Sequence, residues 1–169
     1  MPVSPSRQDR PDFVKHAKGN QEHVMQPLYR SPFLPDKLEG LIVVDVETLS
    51  DGVPDNNFLK RAATFNPDGV LNGALNITIA GNYAYVTCDL GLVIVGIDDP
   101  LHPKVVAKVG APALRNPLTT AVQFRYAFVI DAEGLKVVDV TFPERPTPVL
   151  GAVVPLSDAH DVYVARGYG

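Results

Sequence analysis

Short runs of apolar and β-branched residues, each bounded by Gly, Pro, Asn or Asp, succeed one another through the second half of this chain. Asn76 to Ala80, Tyr83 to Thr87, Leu92 to Ile97 and Lys104 to Val109 form one set of four, rich in the valine, isoleucine, tyrosine and threonine that pleated surfaces favour. A second set follows at Thr120 to Phe124, Tyr126 to Ile130, Leu135 to Val140 and Thr147 to Val153. No apolar stripe of helical period runs through a dozen residues, so the pattern predicts strands. Cys88-Asp89-Leu90-Gly91 and Asp131-Ala132-Glu133-Gly134 join the second segment to the third in each set, and each ends in a glycine suited to a hairpin turn or bulge.

The two sets are copies of one unit. Gly91-Leu92-Val93-Ile94-Val95-Gly96-Ile97 aligns with Gly134-Leu135-Lys136-Val137-Val138-Asp139-Val140 at an offset of 43 residues, and Tyr83-Ala84-Tyr85-Val86 aligns with Tyr126-Ala127-Phe128-Val129 in the same register. A third copy of the glycine strand, Gly40 to Val46, precedes these at an offset of 51, the excess falling in the polar stretch from Ser50 to Asn57 where a surface loop absorbs insertion cheaply. Four short strands per unit of about 43 residues is the spacing of propeller blades. A β-sandwich also uses many short strands, but does not ordinarily carry such a repeat. The expected fold is therefore all-β: a partial β-propeller of four-stranded antiparallel blades.

In this reading residues 1–39, with Arg7, Arg10, Lys15, Lys18 and Arg30 among prolines and polar residues, form a tail or linker. Residues 40–169 form the partial propeller: a half blade at 40–66, blades at 75–110 and 118–154, and the first strand of a further blade at 160–169. Propellers close with about four to eight blades. The expectation is thus a fragment of a longer protein, or a chain whose ring is completed by remaining blades or by other copies of itself.

Through Gly-Leu-Val-Ile-Val-Gly-Ile at 91–97, and its copies Gly-Leu-Ile-Val-Val-Asp-Val at 40–46 and Gly-Leu-Lys-Val-Val-Asp-Val at 134–140, the chain resembles the LVIVD-repeat family over roughly residues 40–169. The signature is an apolar strand closed by Asp and followed by a turn containing Pro. Asp45 and Asp139 match it, and Gly96 departs from it. The resemblance implies a propeller, commonly in bacterial or archaeal secreted or cell-surface proteins and sometimes attached to modules such as multihaem cytochromes. It implies no single enzymatic activity.

Composition narrows the partners. A formal charge of −4 leaves no basic surplus to attract nucleic acid or anionic lipid. No run long enough to span a membrane is present, and the N-terminus lacks the apolar core of a secretory signal. The single cysteine, Cys88, sits in a strand where a buried inert thiol is expected. His16 and His23 stand seven apart in the tail, but no Cys-x-x-Cys-His motif accompanies them, which excludes covalently attached haem.

Candidate chemistry concentrates in the loops that lead from one blade to the next, 110–118 and 155–161. Asp158, His160 and Asp161 offer metal-ligand types, or a histidine base oriented by a carboxylate; Arg115 and Asn116 are the polar residues of the earlier loop. The blander reading makes the two aspartates turn formers and packs His160 at the channel rim, because the equivalent positions in the other copies do not repeat the ligand types. Asp89, Asp131 and Glu133 read as turn residues with a lesser calcium alternative, and Asp45 and Asp139 as acceptors of backbone hydrogen bonds. No cofactor is expected, with a metal ion as the one alternative. The functional expectation is a non-catalytic scaffold for a protein or polymer partner at the cell surface. The alternative is a propeller enzyme or metal/redox accessory module with its site near His160.

Overall fold

The computed structural model describes residues 31–50 and 52–165. The chain divides into two units, Met1–Arg30 and Ser31–Gly169, and the described residues all belong to the second; His16 and His23 lie outside them. Among the described residues eleven strands form three antiparallel sheets, one of three strands and two of four. Sheet one contains β1 (Phe33–Asp36), β2 (Gly40–Asp45) and β3 (Lys60–Phe65) in that order. Sheet two contains β4 (Asn76–Ala80), β5 (Tyr83–Cys88), β6 (Gly91–Gly96) and β7 (Lys104–Val109). Sheet three repeats it with β8 (Thr119–Gln123), β9 (Tyr126–Asp131), β10 (Gly134–Asp139) and β11 (Thr147–Pro155).

The register confirms that these are copies. Thr87 pairs Leu92 and Tyr85 pairs Ile94 in sheet two, as Ile130 pairs Leu135 and Phe128 pairs Val137 in sheet three. The pairing of the third strand with the outermost strand shifts register once in every sheet, between Val43/Val44, Ile94/Val95 and Lys136/Val138. A bulge there increases local twist and turns the outer strand away from its neighbour.

Alternation decides the packing. Ala84, Val86, Cys88, Val93 and Val95 point back from sheet two, where Phe33, Leu41, Val43, Val70 and Leu71 complete a buried cluster with sheet one. Tyr85, Leu92, Ile94 and Val109 point forward into a second cluster with Ala127, Val129, Val138 and Val140 of sheet three. Sheet two is therefore buried on both faces, and β6 is buried throughout. In β10 burial alternates residue by residue: the back-facing Lys136 and Val138 are covered, and the forward-facing Leu135 and Val137 are only half-buried. The innermost strands β4 and β8 lie side by side. Thr78 Oγ1 donates to the Thr120 carbonyl at 2.6 Å, Thr87 Oγ1 donates to the Leu118 carbonyl at 3.0 Å, and the Thr120 amide donates to Asn76 Oδ1 at 3.1 Å.

Two expected boundaries differ from those observed. The tail placed at 1–39 overruns β1, because Phe33–Asp36 pairs with β2 and makes the half blade a three-stranded sheet. Pro35 conceals this strand in the sequence, and the strand tolerates it because the missing N–H falls on the side away from β2. The strand expected at 160–169 does not form between 161 and 165, and 166–169 lie outside the described residues. An inner strand has no ladder without a second strand to pair with, and no such neighbour is present among the described residues.

Candidate functional site

The loops cluster on two rims. One carries the hairpin turns between the second and third strands and the connections from sheet to sheet. At the end of the second strand Asp36, Cys88 and Asp131 occupy equivalent positions, and each faces the turn that follows. Asp36 Oδ1 accepts from the Leu38 and Glu39 amides at 2.8 Å, and Asp131 Oδ1 from the Glu133 amide at 2.9 Å. Cys88 is buried as expected, its Sγ donating to the Val70 carbonyl at 3.5 Å, and burial pushes its thiol up in pKa. In sheet three the same hole is polar. Lys136 Nζ lies 2.8 Å from Asp131 Oδ2 and 2.6 Å from Glu133 Oε2, and donates to the Ala113 carbonyl at 3.0 Å. The Asp131 carboxylate thus holds a turn, a loop and a lysine together.

The residues singled out in the sequence have these positions. The Arg115 amide donates to Asp131 Oδ2 at 2.9 Å, and its guanidinium lies 3.6 Å from Glu133 Oε1. Asn116 takes a left-handed conformation with φ 49°, where the preceding repeat has Gly73 at φ 72°. Asp161 Oδ1 accepts from Thr119 Oγ1 at 2.9 Å and from the Val162 amide at 2.8 Å. His160 Nε2 stands 3.0 Å from Asp158 Oδ1, both side chains being exposed. So the structure joins Asp158 to His160, and gives Asp161 to the β8 edge and Arg115 to the Asp131 network. Among the described residues no group of three or more His, Cys, Asp or Glu side chains could hold a metal ion. Asp45 and Asp139 accept the amides of Glu47 and Thr141 at 2.8 Å, as expected of strand-end caps. On the same rim, between sheets one and two, a cleft of about 520 Å³ is lined by Lys37, Leu38, Asn72, Gly73, Leu75 and Asp89.

The opposite rim carries features that sequence reasoning passed over. A cleft of about 300 Å³ opens beside sheet two, lined by Tyr83, Asp98, Asp99, His102, Lys104 and Glu144 among others. Tyr83 donates its hydroxyl to the Glu144 carboxylate of the next repeat, which raises the phenol and lowers the carboxyl in pKa. His102 Nδ1 lies 2.7 Å from Asp99 Oδ2, and that hydrogen bond, with the Leu101 amide, holds the Asp99 carboxyl below its usual range. Asp98 accepts from Asn82 Nδ2 at 2.6 Å. Next to this cleft the rim of sheet three changes character. Phe124 is 94% exposed at φ 53°, Arg125 lies 5.0 Å over the Tyr126 ring, and Arg145 lies 5.5 Å over the Phe142 ring. The signal was present in the repeat: Gly81 and Asn82 of one unit stand where Phe124 and Arg125 stand in the next.

These observations define a repeat protein of stacked, blade-like sheets with polar rims. Residues 73–110 match the family model described as the LVIVD repeat, and the chain carries that repeat. No curated protein matches the chain.

Proposed function

We propose that this chain is a non-catalytic propeller scaffold of LVIVD type that binds a protein or polymer partner through its rim loops, in the secreted or cell-surface setting that the family resemblance implies. One observation carries the reading. The sheets keep their framework from copy to copy, while the rim exchanges a glycine for an exposed phenylalanine in a left-handed conformation, Gly81 at φ 59° becoming Phe124 at φ 53°. A non-glycine residue in that region costs about 1–2 kcal/mol, and burial of a ring that is 94% exposed does not offset this cost. Strain kept at an exposed aromatic, beside two arginines stacked on rings, fits an interface anchor, since aromatics and arginine dominate binding hot spots.

The test is a binding screen by biolayer interferometry, with the chain immobilised against a peptide array and a set of neutral and acidic polysaccharides. Binding that the wild type shows, and that a Phe124→Gly, Phe142→Ala variant with a melting temperature no lower than wild type loses, supports the scaffold reading. Binding that this variant retains removes the patch from it.

A second reading, a propeller enzyme or metal/redox accessory module, is favoured by the 3.0 Å His160–Asp158 pair alone. Metal analysis of the purified chain and of His160→Ala separates the two: stoichiometric metal lost in the variant supports the second reading against the first.

A further inference from the structure

Gly96 breaks the repeat at a single side chain. β2 and β10 close with Asp45 and Asp139, and in each the carboxylate accepts the amide two residues on, that of Glu47 or of Thr141. β6 closes with Gly96, and among the described residues no side chain accepts from the corresponding Asp98 amide. Asp99 holds the turn instead, its Oδ1 accepting from the Leu101 amide at 3.0 Å. Nothing in the backbone asks for glycine here. Gly96 is not among the glycines of positive φ, and a Cβ built on it would lie 3.4 Å from Val106 Cγ1 and 3.8 Å from the Lys104 carbonyl oxygen, both ordinary contacts. A side chain could start at this position, so what its absence creates is room. That room opens into the cleft of about 300 Å³, which Gly96 lines together with Tyr83 and Val106.

The cleft offers hydrogen-bond donors and acceptors side by side. Asp98, and Glu144 from the following repeat, bring carboxylates, which only accept, whereas Lys104 brings an ammonium, which only donates. Asn82 engages one oxygen of Asp98 at 2.6 Å, and the Tyr83 hydroxyl one oxygen of Glu144. An ionised carboxylate has about four acceptor positions, so both have capacity to spare. A cation entering the cleft would meet Lys104, and an anion would meet Asp98, Asp99 and Glu144. A neutral hydroxyl suits both kinds of group, because it donates to one and accepts from the other. Several hydroxyls on one ring, with C–H surface to set against Tyr83 and Val106, match the whole lining.

The geometry points to a sugar site: the cleft beside sheet two takes one uncharged sugar residue, with a hydroxyl oxygen standing where the other repeats hold an aspartate carboxylate. Its volume is at the lower end of the range for small-molecule pockets, about 300–1,000 Å³. A single ring fits that size better than a buried run of several. The ring belongs to a free sugar or to one unit of a neutral glycan, two sources with the same chemistry. The site is separate from the exposed Phe124 surface and does not rest on it.

Saturation-transfer NMR, titrated for affinity on the full chain, tests this. The probes are glucose, mannose, galactose and N-acetylglucosamine, each as the free sugar and as a neutral tetrasaccharide, with glucuronate and arginine methyl ester as charged probes. A neutral sugar is expected to bind more tightly than either charged probe; tighter binding of its tetrasaccharide assigns the site to a glycan, and equal binding to the free sugar. Gly96→Asp, which restores the side chain of the other repeats, is expected to abolish binding with a melting temperature no lower than wild type. Lys104→Met, at an exposed strand position, is expected to weaken it about tenfold, the loss of one hydrogen bond to a charged group. No transfer to any neutral sugar, a preference for either charged probe, or binding that survives undiminished in Gly96→Asp or Lys104→Met would each overturn the site. Gly96→Asp leaves Phe124 in place, so loss of the sugar here and loss of a partner in the screen above are read separately.

Discussion

Lys136 Nζ lies 2.8 Å from Asp131 Oδ2, and the Asp131 side chain has no solvent exposure. The equivalent pair in the preceding repeat is Cys88 and Val93, both buried and uncharged. One framework thus accepts an ion pair in one copy and a small apolar pair in the other, at the place where the hairpin turn meets the loop from the previous sheet.

Removing one partner of such a pair leaves a buried charge without its counterion and costs about 3–5 kcal/mol, whereas replacing both by well-packed apolar groups is often neutral. Asp131→Ala and Lys136→Met are each expected to destabilise by about that amount in urea unfolding. The double substitution Asp131→Cys, Lys136→Val, which installs the residues of sheet two, is expected to cost less than either single change. A double variant as unstable as the sum of the two would show that the two repeats do not share this packing.

The same pair sets a pH dependence. Burial alone raises the Asp131 carboxyl, but the Lys136 ammonium and the Arg115 and Glu133 amides outweigh it and hold the group below its usual value. Burial likewise lowers Lys136, yet Asp131 and Glu133 raise it overall. A depressed carboxylate contributes stability above its unfolded value of about 4 and loses it as pH falls through the folded value. A raised lysine contributes below about 10.4 and loses it as pH rises through its folded value. The stability difference between wild type and Asp131→Asn, measured by denaturant titration, is therefore expected to be flat from about pH 5 to 9 and to shrink below about pH 4. A difference that persists in acid would assign the contribution to shape and not to charge.

Gly91 and Gly134 open the third strands at φ 124° and 134°, and a Cβ built on either would lie 2.1 Å from a carbonyl oxygen of the outermost strand, Val109 or Val154. Backbone cannot yield to that contact without breaking the hairpin register. Gly91→Ala and Gly134→Ala are each expected to cost at least about 1–3 kcal/mol. The check is thermal unfolding beside Gly52→Ala, where φ is also positive but nothing lies within 4 Å of the added carbon. Equal losses at all three sites would reduce the effect to backbone conformation alone.

How much of this was legible depends on whether a feature repeats. The matched glycines, the tyrosine segments and the closing aspartates recur at a fixed spacing, so strands, turns and caps could be placed from sequence. β1 could not, since Pro32 and Pro35 break the alternation and no first strand of its unit stands beside it among the described residues. The Asp131–Lys136 pair was hidden for another reason. The two stand five positions apart in sequence, and only the hairpin brings them onto one face, so Asp131 read as a turn former and Lys136 as an ordinary strand residue. The candidate loop of 155–161 was sensed from residue types, but type does not say which way a side chain turns. Asp161 turns to Thr119, and His160 keeps only Asp158.

Phe124 yields the last prediction, because it separates a strain kept for folding from one kept for binding. If the ring contributed to the fold, Phe124→Gly would follow the usual trend of destabilisation. At φ 53° and 94% exposure it has strain to relieve and little burial to lose. Glycine pays back part of that gain through the freedom it adds to the unfolded chain. The net expectation is a stabilisation of about 0.5–1 kcal/mol, seen as a rise of up to about 2–4 °C in melting temperature. Gly81→Phe, at φ 59° in the preceding repeat, should fall by a similar amount. A Phe124→Gly protein that melts lower than wild type would mean that the ring supports the sheet beneath it, and the argument that it is held out for a partner would lose its basis.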